Sequence, residues 1–202
     1  MTNKPESSNS IVLLVDGLRP SSLGPYGNTW FDTTRLNQLA SESILFEQCI
    51  SDSPFVQLGV RGILQGIHSC CRREQTFSLP SALVDTGGSA TLVTSQPEKF
   101  SDYSDSFSQL EIVETQTAEK LSDDVSSTQM ASFFSQAIQA VQDQERSGLL
   151  LLDCPGFIHQ WDAPYSYRQA LADPEDPVPT DQPVVPSLEF KPAVDDLSLI
   201  HI

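Results

Sequence analysis

The apolar positions of this chain fall into short unbroken runs separated by stretches with helical spacing. Ile11-Val12-Leu13-Leu14-Val15 is continuous, β-branched and aliphatic, and is bounded by Ser10 and by Asp16-Gly17. Such a run suits a strand covered on both faces of a parallel sheet. A loop through Pro20, Gly24, Pro25 and Gly27 follows, and Thr33 or Thr34 can cap a helix with Leu36, Leu39, Ala40 and Ile44 on one face. Ile44 to Ile50 is expected to form the next strand.

The alternation continues further along. Leu79 to Val84 suits a short helix stopped by Gly87-Gly88, Ala90 to Thr94 suits a strand, and Leu110 to Val113 a second, shorter one. Between Ser127 and Gln144, the residues Met130, Phe133, Phe134, Ala137, Ile138 and Val141 recur at helical spacing, with Asp123 and Asp124 near the start and Gly148 past the end. Leu149 to Leu152 reads as another buried strand. Beyond Pro164 the pattern fades. Residues 1–10 are expected to be a disordered N-terminus, 11–170 a partial α/β domain, and 171–196 an acidic, Pro-rich loop or tail.

Strands alternating with helices imply a doubly wound, mainly parallel α/β sheet, which binds ligands at the carboxyl ends of its strands. Asp16 is therefore the first candidate. A carboxylate directly after a buried first strand can be a metal ligand or a general base; the simpler alternative is a loop cap or a solvated turn.

Charge narrows the partners. The 202 residues carry 27 acids and 11 bases, a net charge of −16, and the imbalance is uneven: residues 1–73 hold six of each, whereas 74–202 hold 21 acids and five bases. Neither nucleic acid nor an anionic membrane surface is an expected partner. Met1 to Ser10 is polar and does not read as a secretory signal, and no apolar run is long enough to span a bilayer. Cys49, Cys70, Cys71 and Cys154 show no metal-ligand spacing, and the adjacent Cys70 and Cys71 make a poor disulfide, so reduced thiols in a cytoplasmic protein are expected.

Several of these features occur together in one order. A buried strand ends in Asp16, then come Leu18-Arg19-Pro20, Tyr26-Gly27-Asn28, the Thr33 to Ser43 helix, a strand leading to Ser53-Pro54, and Leu64-Gln65-Gly66-Ile67-His68. Thr91-Leu92-Val93 and the segment Leu149 to Pro164 follow. Over about 150 residues this resembles the N-terminal part of sulfatases in the alkaline-phosphatase-like superfamily. The resemblance implies an alkaline-phosphatase-like sheet truncated on its C-terminal side. It also implies a divalent cation, Ca²⁺ or Mg²⁺, that binds a small anionic ester and activates a nucleophile.

The site residues implied by the resemblance are incomplete. Asp16 matches the first metal ligand, but the second acid of the sulfatase pair is Gly17; the phosphodiesterase and nucleotide-pyrophosphatase branch has Gly there after its single Asp. Counting back ten residues from Gly66 puts Val56 at the nucleophile and Val60 at the family's arginine. A nucleophile needs a hydroxyl, thiol or hydrated aldehyde, which valine lacks. Arg61, one residue later, is the available anion contact; Ser53 or Gln57 reaches the nucleophile position only if the alignment shifts. The sulfate-binding lysine falls at Ser95, and His159 matches the sulfate-binding histidine, with a loop histidine beside Trp161 as its plain alternative. His68 is expected to be an uninvolved loop residue.

The family's later Asp-His-Gly or Asp-Asn metal motif has no counterpart in the 202 residues. Residues 197–202, Leu-Ser-Leu-Ile-His-Ile, look like the translation of a sequencing adapter and are expected to be foreign to the gene. Three functions compete: a sulfatase-like ester hydrolase, a catalytically dead relative kept as a binding or regulatory module, and a phosphodiesterase or nucleotide-pyrophosphatase-like hydrolase.

Overall fold

A computed structural model describes residues 9–51, 53, 55–71, 77–115, 118–143, 148–157 and 160–183. Four strands form one parallel sheet: β1 (Ser10–Val15), β2 (Ser89–Thr94), β3 (Gln109–Ile112) and β4 (Gly148–Cys154), in the spatial order β1-β4-β2-β3. Five α-helices lie among them: α1 (Thr34–Ser41), α2 (Val56–Gln65), α3 (Leu79–Asp85), α4 (Gln129–Asp143) and α5 (Tyr165–Leu171). A kinked 3-10 segment, Pro97–Ser106, follows β2. This is the α/β class with a parallel sheet that the sequence implies.

The core has one layer on each face of the sheet. Alternate residues of β4 point to opposite faces. Leu149 and Leu151 join Leu92, Val60 and Leu64 of α2, and Phe100 and Phe107 in one cluster. Leu150, Leu152 and Cys154 join Val93, Val113 and the Phe133 and Ala137 face of α4 in the other. Gly148 opens β4 where that strand crowds β2: a Cβ there would lie 2.2 Å from the Ser89 carbonyl oxygen. The N-terminus of α4 is capped by Thr128, whose hydroxyl accepts from the Ala131 amide, and by the buried Asp162, which accepts from the Gln129 amide at 2.8 Å. Asp124, expected near the start of this helix, instead caps the short turn before it by accepting from the Ser126 amide.

Three expectations need correction. First, the strand buried on both faces is β4, not β1. Among the described residues β1 pairs with β4 alone, and of its residues only Val15 packs against the α4 cluster, so Ile11 and Leu13 remain 53% and 47% exposed. Second, residues 44–50 form no strand. Their composition is suitable, but β1 takes no second strand partner among the described residues, and Ile44, Phe46 and Ile50 stand in solvent. Third, Leu36 and Leu39 of α1 are exposed, because that helix packs on the Gly24–Tyr26 turn rather than on the sheet. Helices α2 and α5 went unread in the sequence: α2 carries Gly59 and Gly62, both poor helix formers, and α5 lies beyond Pro164.

The two strands should therefore respond differently to truncation. Leu150→Ala is expected to cost about 2–5 kcal/mol in urea unfolding and Leu13→Ala under about 1 kcal/mol. Equal losses would mean that the outer face of β1 is covered in solution.

Candidate functional site

Three adjacent strands end at one place. The pairing sets Leu14 of β1 and Thr94 of β2 on either side of Asp153 of β4, and Asp16 follows β1 by one residue. Two acids from separate strands thus meet at the carboxyl edge of the sheet, where an α/β fold assembles its sites. Asp153 is 1% exposed and Asp16 26%.

Both are held by Lys99, from the 3-10 segment after β2. Its ammonium donates to Asp16 Oδ2 at 2.8 Å and to Asp153 Oδ1 at 2.5 Å, and its side chain is 7% exposed. The second oxygen of Asp153 accepts from the Thr94 hydroxyl at 2.8 Å, and that hydroxyl accepts in turn from the Gln96 amide. Burial alone would push the Lys99 pKa down; the hydrogen bonds and charges of Asp153 and Asp16 outweigh it, and the net shift is upward. The lysine is a cation at neutral pH. Two carboxylates and one ammonium leave the group with a formal charge of −1.

The backbone around the pair is equally constrained. The Asp16 amide donates to the Cys154 carbonyl at 3.1 Å, and the Asp16 carbonyl accepts from the Phe157 amide at 2.8 Å. Gly156 closes this contact at φ +56°, and a Cβ there would lie 2.1 Å from the Asp16 carbonyl oxygen. Gly17 has φ +73°, in the left-handed region that glycine adopts most readily, and it brings no second acid to the site.

The other expected site residues are placed less productively. Val56 is the first residue of α2, half-exposed, with a hydrocarbon side chain; Val60 is buried in the core. Arg61 donates to the Cys71 carbonyl at 3.1 Å. His159 lies outside the described residues. His68 accepts from the Cys70 amide at 3.2 Å. Ser95 stands where a lysine was expected; its buried hydroxyl oxygen has no hydrogen-bond partner among the described residues. A cation is nevertheless present, supplied by Lys99 four residues later. Lys99, Asp153 and Thr94 are the site residues that the sequence reading missed. One signal was available: Leu149 to Asp153 repeats the pattern of Ile11 to Asp16, an apolar run ending in Asp.

These residues do not fit the Ca²⁺ or Mg²⁺ implied by the resemblance. Among the described residues no group of three or more His, Cys, Asp or Glu could hold a metal, and the two acids that could share one with bound water are already bridged by an ammonium.

No protein-family model and no curated protein matches the chain. Among solved structures, it is similar to the C-terminal periplasmic domain of EcEptC from Escherichia coli, solved as a complex with Zn. The TM-score is 0.55 at 12% identity, over 76% of this chain and 44% of that one. The fold is alkaline-phosphatase-like. At this identity the likeness is one of fold, and the chain spans less than half of that neighbour. No helix among the described residues is long and apolar enough to cross a membrane.

Two measurements check this site. Gly156→Ala is expected to destabilise the chain by more than about 1 kcal/mol, since both the positive φ and the close carbonyl resist a side chain. The native chain should also show three reactive thiols: Cys49, Cys70 and Cys71 are exposed, while Cys154 is buried and burial raises its pKa. A fourth thiol reacting equally fast with a thiol reagent before unfolding would contradict the placement of β4.

Proposed function

We propose that this chain is a catalytically dead relative of the sulfatase-like ester hydrolases, kept as a binding or regulatory module. The observation that carries the reading is Val56. It occupies the first turn of α2, the position that the resemblance assigns to the nucleophile, and offers nothing to ionise. Val60 supports the same reading, because an arginine at that position would have to be accommodated in the core. The formal charge of −1 around Asp16 and Asp153 also disfavours a small anionic ester, which the parent chemistry would need a cation to attract.

Asp16-Gly17 favours the phosphodiesterase and nucleotide-pyrophosphatase branch as a second reading of ancestry, but that branch needs a threonine where Val56 stands. With a net charge of −16, nucleic acid and anionic membrane surfaces are not among the partners on either reading. Four unpaired cysteines support a cytoplasmic location.

Loss of a single oxyanion donor typically costs about 10²–10³ in rate, and loss of the nucleophile removes the route itself. The purified chain is expected to hydrolyse p-nitrophenyl sulfate and p-nitrophenyl phosphate no faster than buffer does, with or without Ca²⁺ or Mg²⁺. Metal-dependent hydrolysis that Asp16→Asn abolishes would overturn the proposal.

A further inference from the structure

We infer that the Lys99 ammonium is the resident cation of the Asp16–Asp153 centre and keeps divalent ions out of it. The inference rests on the reading of this centre as degenerate, and names what has taken the place of the metal. Each acid already gives one oxygen to Lys99, at 2.8 Å for Asp16 and 2.5 Å for Asp153, and the remaining Asp153 oxygen is held by Thr94. That buried carboxylate has no oxygen left without a partner. A metal ion entering between the acids would have to expel the ammonium from a site where its side chain is 7% exposed. The displaced charge would then be buried without its counterions, the situation that makes breaking a buried ion pair costly.

Among the described residues no further acid or histidine joins Asp16 and Asp153, so a metal there would have to complete its shell with water once the ammonium is gone. Gly17 brings no side chain, and its positive φ opposes one. Cys154 follows Asp153 but points to the opposite face and is packed in the core with Leu150 and Leu152. Lys99 reaches the site from the turn that starts at Pro97, three residues past the end of β2, so the cation is built into the chain connection itself. The ammonium is monovalent and coordinates no water, so it can hold the two strand ends together but does not supply the metal-bound hydroxide that a divalent ion would.

The test is Mn²⁺ binding to the full 202-residue chain, followed by electron paramagnetic resonance after EDTA treatment. The wild type is expected to show no binding that Asp16→Asn removes. Lys99→Met, which keeps the length of the side chain and deletes its charge, is expected to gain one Mn²⁺ site, lost again in Lys99→Met/Asp16→Asn. Asp16-dependent binding by the wild type overturns the inference, as does a folded Lys99→Met chain that gains no site. Should circular dichroism show Lys99→Met to be unfolded, the wild type against Asp16→Asn decides alone. Mn²⁺ binding without ester hydrolysis sinks this inference and leaves the non-catalytic reading standing; hydrolysis without Asp16-dependent binding does the reverse.

Discussion

The arrangement at the carboxyl edge of the sheet depends on a single ammonium ion placed between two carboxylates. Asp153 sits in the central strand with its side chain withdrawn from water, and an isolated carboxylate there would be expensive. Lys99 and Thr94 satisfy one oxygen each. Because Lys99 also reaches Asp16, the same contact fixes the end of β1 against the end of β4, and the Gly156 loop closes over that junction at a distance no side chain could share. The group thus ties together the ends of three strands at the edge of the sheet where α/β folds assemble their sites.

The apolar surface is distributed just as unevenly. Around β4 both faces are sealed, by α2, α3 and the 3-10 segment on one side and by α4 on the other. Around β1 the seal is partial, and Ile11 and Leu13 remain exposed; Ile44, Phe46, Ile50 and Phe55 stand in solvent as well. Exposed apolar side chains in such number invite association.

Local patterning made most of the fold legible. The runs at Ile11 to Val15 and Leu149 to Leu152 became strands, and the periodicity from Met130 to Val141 became α4, because these signals need only neighbours in sequence. Strand order does not. Ile44 to Ile50 has the composition of a strand but pairs with neither edge of the sheet, and no property of the segment itself reports that. The centre was half legible for the same reason. Asp16 announces itself after a buried run, whereas Lys99 lies 83 residues from Asp16 and 54 from Asp153, and only the order β1-β4-β2 brings the three together. Family analogy pointed to Ser95 for the missing charge; the backbone supplies it four residues on, from a turn that sequence periodicity does not register.

The claim that Lys99 and Asp153 act as one unit is tested most directly by a double-mutant cycle. Unfolding free energies of the wild type, Lys99→Met, Asp153→Asn and the double variant should show a coupling of about 1–3 kcal/mol, with the double variant less damaged than the sum of the single changes. Each single change leaves a buried charge without its partner, and the second change relieves it. Strict additivity would mean that the ammonium and the carboxylate do not depend on each other, and would contradict the account.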